Sequence, residues 1–177
     1  MSIFIDNKKI IDENDWKNTS IGRNLLIDSQ TFSDFTFYGT TAKPSQDNVV
    51  IIGNSGRANS VQRENLALNT LFSWSIYAKA DSNDVVLHTE LNGGGGNTDQ
   101  TVTQEWKRYS FHGMSNSKGV LFFWKASGSG KLYLKLPKLE YGSIATKWSP
   151  APEDYAMQSD VIKLQDQINQ LKSKLGG

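Results

Sequence analysis

The run from Lys131 to Asp154, KLYLKLPKLEYGSIATKWSPAPED, decides the fold, because a strand pattern closes in it and a helix-forming pattern begins. Its first part alternates. Leu132, Leu134 and Leu136 fall on one face and Lys131, Tyr133 and Lys135 on the other, the period of a half-buried strand. Pro137 has no N–H to donate, so it is expected to stop the ladder or to mark an edge. Tyr141-Gly142 signals a turn, and Trp148 stands just before Pro150-Ala151-Pro152, a step that ends a sheet but can start a helix. Trp148, Pro150 and Pro152 are therefore expected to form the structural junction between two unlike parts.

Downstream of that junction, Pro152 suits the first helical position, and Glu153 and Asp154 complement the positive end of the helix dipole. Met157, Val161, Leu164, Ile168, Leu171 and Leu175 then recur at alternating steps of four and three, a heptad seam with Val161, Ile168 and Leu175 at a and the other three at d. Only Ile162 falls beside the seam. A helix packed on its own domain carries a wider apolar stripe, so the pattern predicts a self-associating coiled coil over 150–177. Val and Ile at a with Leu at d favour two strands.

Upstream, from Gly22 to Tyr141, short apolar runs alternate with Gly, Asn, Ser and Asp clusters, without a helical period. That is the pattern of an all-β domain, assigned here to 22–149. Strands are expected near Phe35–Tyr38, Val49–Ile52, Leu71–Ala80, Val85–Leu91, Glu105–Gly113, Val120–Ala126 and Leu132–Leu136, with a short one at Asn65–Asn69. Seven or eight strands of this length fit a jelly-roll sandwich. Period two puts Phe72, Trp74, Ile76 and Ala78 inward and Ser73, Ser75, Tyr77 and Lys79 outward. Likewise Val85, Leu87 and Leu91 go inward and Val86, His88, Glu90 and Asn92 outward, while Tyr109 and Phe111 oppose Trp106, Arg108, Ser110 and His112. Leu121-Phe122-Phe123-Trp124 is continuous and predicts burial on both faces, the second covered by the N-terminal arm or a neighbouring subunit. The arm itself, 1–21, reads as a hairpin of Ile3-Phe4-Ile5 and Lys8-Lys9-Ile10-Ile11 about Asp6-Asn7, either an edge hairpin of the sandwich or a docking segment.

The 177 residues suffice for one packed domain and an appendage. A net charge of +1, from 19 basic and 18 acidic residues, gives no broad field for nucleic acid or an anionic membrane, and neither is expected as a partner. There is no cysteine, so disulfides and thiolate metal sites are excluded. The N-terminal run lacks the apolar core of a secretory signal, and no stretch approaches the roughly 20 apolar residues of a membrane span.

Catalytic patterns are not found. His88 and His112 lie strands apart and read as surface histidines, which leaves no metal site to expect. No G-x-S-x-G presents a serine. The run Ser127-Gly128-Ser129-Gly130-Lys131 fails as a phosphate loop, because Lys125 stands where the first glycine belongs and Leu132 where Ser or Thr would hold magnesium. Gly93 to Gly96 reads as a flexible loop. Glu90 and Glu105 read as the glutamates deep in the sandwich, and nothing places them across one cleft as a hydrolase requires. Asp81-Ser82-Asn83-Asp84 offers oxygens without the glycine and distal glutamate of a calcium loop. The chain is therefore read as non-enzymatic and without a cofactor.

Several stretches carry a resemblance. Leu136-Pro137-Lys138-Leu139-Glu140-Tyr141-Gly142 with Ala145-Thr146-Lys147-Trp148-Ser149-Pro150-Ala151-Pro152-Glu153-Asp154 resembles the closing segment of carbohydrate-binding-module-like β-sandwich domains. These occur in minor structural proteins of phages that infect Gram-positive bacteria. Gly22-Arg23-Asn24-Leu25-Leu26 and Phe72-Ser73-Trp74-Ser75-Ile76-Tyr77-Ala78-Lys79-Ala80 fit the same pattern. The resemblance implies a galactose-binding-like jelly roll in a tail, baseplate or head-fibre protein, located in the virion and made in the host cytoplasm. It also implies a homotrimer rather than the dimer that the heptads favour. Its partners would be other virion proteins and bacterial cell-wall or capsular polysaccharide. A structural calcium is frequent in such sandwiches and is left open, with no ligand set.

A glycan site needs an aromatic face for the apolar side of a sugar and polar groups for its hydroxyls. Tyr77, His88, Glu90, Trp106, Arg108, Trp124 and Tyr133 are the candidates that alternation turns outward or, as for Trp124, does not assign to a face, and two sheets must divide them. The alternatives are a purely structural decoration or connector that binds no sugar, and the accessory module of a wall hydrolase.

Overall fold

The computed structural model describes residues 3–5, 8–11, 22–38, 43–44, 47–53, 56–60, 68–91, 95–115 and 121–175. Strands β1 (Ile3–Ile5) and β2 (Lys8–Ile11) pair antiparallel as a two-stranded sheet of their own, the hairpin expected of the arm. The domain then runs through β3 (Phe35–Tyr38), β4 (Lys43–Pro44), β5 (Val50–Ile52), β6 (Arg57–Ser60), β7 (Leu71–Ala80) and β8 (Val86–Leu91). It continues with β9 (Gly95–Thr101), β10 (Lys107–Met114), β11 (Leu121–Ser127) and β12 (Leu132–Tyr141), and helix α1 spans Pro152–Leu175.

Two five-stranded antiparallel sheets stack, in the orders β10-β7-β12-β5-β4 and β3-β6-β11-β8-β9. Their pairing is nested: β5 pairs with β12, β6 with β11, β7 with β10 and β8 with β9, first with last down to a central hairpin. A long hairpin rolled over itself gives that order, so the sandwich is a jelly roll by topology. β4 and β3 extend the two sheets beside β5 and β6.

The core is what period two predicts. Phe72, Trp74, Ile76 and Ala78 of β7 are fully buried and meet Leu87, Leu91, Leu121 and Phe123 from the opposite sheet. Thr89 also points in, because the indole N–H of Trp74 needs a buried acceptor and finds its hydroxyl at 2.8 Å. Gly96 closes over this tryptophan. A Cβ there would stand 2.5 Å from the indole edge and 2.8 Å from the His112 carbonyl, so Gly95-Gly96 open β9 as close-packed strand rather than loop. Gly93 and Gly94, like Asn92 and 65–67 of the expected extra strand, lie outside the described residues, and Leu68-Asn69 form a turn.

β12 corrects the expectation placed on Pro137. The strand does not stop there. Lys135 pairs with Tyr77 and Lys138 with Ser75, so β12 spends three residues where β7 spends two, a bulge that takes the proline out of the ladder. Leu136 adopts φ 54° in it and leaves the face shared by Leu132 and Leu134. The extra residue inverts the alternation beyond it. Leu139 turns into the core, while Lys138 and Glu140 turn to the outer face.

The helix root is bolted to the sandwich. Asp154 accepts from the Ala151 N–H at 3.0 Å, capping its own helix from the third position, and from the Asp28 N–H at 2.8 Å. Arg23 pairs with Glu153. Trp148 donates its indole N–H to Pro137 O and Ser29 Oγ, at 3.2 and 3.3 Å. Asn24, fully buried, binds Ser29 and Ser149 through its amide nitrogen and the N–H groups of Leu26 and Leu139 through its oxygen. From Asp160 to Lys174 every helix residue is exposed, including Val161, Leu164, Ile168 and Leu171 of the seam. The side chains of Met157 and Leu175 lie outside the described residues. No helix among the described residues is long and apolar enough to cross a membrane.

Candidate functional site

The candidates divide between the outer faces of the two sheets, as two-sheet geometry requires. On the sheet β3-β6-β11-β8-β9, the inner positions Ala58, Phe123 and Thr89 are filled by core, so the alternate positions face outward. Register then aligns them. Tyr38 pairs with Arg57, Arg57 with Trp124, Trp124 with His88 and His88 with Asp99, one continuous row across all five strands. At the usual strand spacing it is about 19 Å long. A second row beside it holds Thr36, Phe122 and Glu90.

The rows form one connected aromatic and polar surface. The Arg57 guanidinium lies 4.6 Å from the Tyr38 ring centre and 5.3 Å from that of Phe122. Phe122 meets Trp124 edge-on at 6.1 Å, and His88 stacks on Trp124 at 3.9 Å. His88 Nδ1 is 2.5 Å from Asp99 Oδ1, while its Nε2 finds no hydrogen-bond partner among the described residues and stands 4.0 Å from Glu90 Oε2. On that outer face Arg57 and Trp124 lie against Phe122 of the continuous run Leu121–Trp124.

His88, Glu90 and Trp124 come together here, joined by Tyr38, Arg57, Phe122 and Asp99, which sequence reasoning missed. Arg57 and Asp99 sit on strands reading RANS and GGNTDQT, which lack apolar alternation and carry no strand signal. Tyr38 and Phe122 were visible as aromatics, but only the register shows that they share a face with Trp124.

The other four candidates lie on the outer face of β10-β7-β12-β5-β4, where half of the surface is sealed. Residues 142–151 cross it. Lys138 Nζ donates to Thr146 Oγ1 at 2.6 Å and to Lys147 O at 2.9 Å, and Glu140 accepts the Thr146 N–H and hydroxyl at 2.7 and 2.8 Å. Lys138 and Glu140 are 3.5 Å apart and each only 1% exposed, and burial holds the Lys138 ammonium below the usual lysine range. Ser73 and Ser75 face outward, as alternation places them, yet are buried beneath this cover. The Arg108 guanidinium is drawn into the same network by Ser75 Oγ and Thr146 O. Beyond the cover Tyr77, Trp106 and Tyr133 remain half-buried.

His112 is exposed and far along the chain from the His88 row. Among the described residues no group of three or more His, Asp or Glu side chains could hold a metal ion. In the Asp81–Asp84 turn the carboxylates are taken by protein donors: Asp81 by the Lys131 N–H at 2.5 Å, and Asp84 by Ser82 and by the Ser129 N–H at 2.8 Å. Those bonds, led by that of Ser82, lower the Asp84 pKa to about 2. The carbonyls of Gly128 and Gly130 receive the Lys125 ammonium at 2.8 and 2.7 Å. At the helix root a cleft of about 540 Å³ is lined by Asp28, Gln30, Thr31, Pro150, Asp154, Val161 and Ile162.

No family model matches this chain, and no curated protein matches it. Among solved structures it is similar to a family two carbohydrate esterase from Cellvibrio japonicus, with 12% identity, a TM-score of 0.45, and coverage of 70% of this chain and 34% of the esterase. A Clostridium thermocellum endo-1,4-beta-D-xylanase 10B, crystallised as CBM22-1 and GH10 modules with xylohexaose, gives 10% identity, a TM-score of 0.49, and 72% and 30% coverage. A CBM22-1 xylan-binding domain from Paenibacillus barcinonensis gives 13%, 0.47, and 70% and 98%. The chain thus spans about a third of the first two proteins and nearly all of the third. At these identities and TM-scores the likeness carries no ligand with it.

Proposed function

We propose that this chain is a non-enzymatic glycan-binding module of a phage virion appendage, made multivalent by its C-terminal helix. The observation that carries the binding reading is the row Tyr38–Arg57–Trp124–His88–Asp99. It supplies aromatic edges and faces for the apolar side of sugar rings, interleaved with a cation, an imidazole and a carboxylate for hydroxyls. A flat, half-exposed row gives weak contacts per sugar, and association of several chains multiplies them. The exposed heptad positions supply that association, because a free helix leaving Val161, Leu164, Ile168 and Leu171 in water buries them only by self-pairing. The virion role rests on the resemblance of the closing segment to phage structural proteins, and the trimer on the same ground.

The test combines light scattering of the intact chain with a bacterial glycan array. A discrete oligomer that binds glycans, and loses at least tenfold in apparent affinity with Trp124→Ala, supports the reading. A stable oligomer that binds no glycan at any density leaves the structural decoration. Hydrolysis of purified cell wall by the chain would overturn the non-enzymatic assignment.

A further inference from the structure

The open half of the second outer face holds an arrangement that the row on the first sheet does not explain. Tyr133 of β12 pairs with Lys79 of β7, Lys135 pairs with Tyr77, and Trp106 stands just before β10, against Lys79 and Lys135. Lys79 Nζ lies 5.4 Å from the ring centres of both Trp106 and Tyr133, and Lys135 Nζ lies 4.2 Å from that of Trp106. Two ammonium groups therefore converge on one indole.

Among the described residues neither ammonium has a carboxylate within ion-pair distance. Four other cations of this chain are neutralised or enclosed: Arg23 by Glu153, Lys138 by Glu140, Lys163 by Asp160, and Lys125 by backbone carbonyls. The nearest acidic side chains in sequence, Glu105 and Asp81, do not fill the gap. Glu105 is exposed at the loop before Trp106, and Asp81 is committed to the Lys131 N–H. Lys131 adds a third outward cation, by alternation, at the head of β12. Cations gathered on an aromatic ring without a counter-charge repel one another, and an anion seated between them relieves that repulsion.

The geometry points to a second binding site at Lys79, Lys135, Trp106 and Tyr133 for a saccharide polymer bearing carboxylate or phosphate groups. The anionic oxygens meet the two ammoniums, and the apolar side of the neighbouring ring lies on the Tyr133 and Trp106 surfaces. The first row, with Glu90 and Asp99 beside a single arginine, disfavours such a ligand and suits a neutral one. This deepens the glycan-binding reading by giving each face a ligand charge, but its residues and its probes are separate from those of the first site.

Affinity electrophoresis of the full chain tests it, with polygalacturonate as the carboxylate probe, polyphosphate as the phosphate probe and dextran as the neutral control. Retention by one or both polyanions, falling as salt rises, is the expected result. Lys79→Gln with Lys135→Gln should weaken that retention about tenfold or more, whereas Trp124→Ala leaves it unchanged. Which probe is retained identifies the anion. No retention by either polyanion, or an equal loss in a control pair Lys163→Gln with Lys172→Gln on the helix, overturns the second site. Neither result bears on binding of neutral glycans at Trp124. An unchanged melting temperature for both lysine pairs keeps the comparison to binding.

Discussion

The two outer faces begin from the same sequence logic and end as different objects. On each, alternation points polar and aromatic side chains away from the core. On the sheet β3-β6-β11-β8-β9 those positions remain a surface, a row from Tyr38 to Asp99. On the sheet β10-β7-β12-β5-β4 the bulge at Leu136-Pro137 turns Lys138 and Glu140 outward, and the chain then folds back over them, so an outer face becomes a second, polar interior. Facing out of a sheet is a property of the strand; staying exposed depends on where the rest of the chain runs.

The comparison breaks most sharply at Lys138. Lys138→Met leaves the Glu140 carboxylate buried without its cation, and chemical denaturation should show a loss of about 3–5 kcal/mol. Replacing both, Lys138→Met with Glu140→Leu, should recover part of that loss but still free residues 142–151, because Thr146 loses its acceptors. A loss below about 1 kcal/mol for Lys138→Met would mean that the cover is not packed as described. On the open face the same kind of deletion should do less to the fold. Trp124→Ala removes a half-buried ring stacked on His88 and is expected to cost about 1–2 kcal/mol in the same assay. A cost as large as that at Lys138 would make the row part of the structure rather than a binding surface.

The smallest effect belongs to Asp84, on neither face. Its folded pKa, about 2, is below its ordinary value of 3.8, so its contribution is present above pH 3.8 and is lost as pH falls through about 2. Acid titration followed by carboxyl NMR shifts should find Asp84 still ionised at pH 3, and Ser82→Ala should raise its midpoint. A midpoint near 4 in the parent protein would show that the turn is not held by that bond.

Much of the fold was legible because its signals are local. β3 and β7 are found with the bounds read from the sequence, the inward set of β7 is buried, and Pro152 opens the helix. What escaped was set by distant parts. β6 and β9 have no apolar alternation, and become strands because β11 and β8 offer them free edges. The bulge is invisible in KLYLKLPKLEY, since only pairing with β7 counts the extra residue. The candidate site was half legible for the same reason: Trp124, His88 and Glu90 stand on strong strands, whereas Arg57 and Asp99, which complete the row, stand on weak ones.

The bolted helix root has a mechanical consequence. Tension applied along α1 reaches the domain through Asp154, Glu153 and Trp148, which hold the Asp28 backbone, Arg23 and the Pro137 carbonyl. These anchors belong to the first segment of the domain and to β12, a strand flanked by β5 and β7 in the middle of its sheet. A pull on the helix therefore enters the sheet at a strand paired along both sides, not at an edge strand.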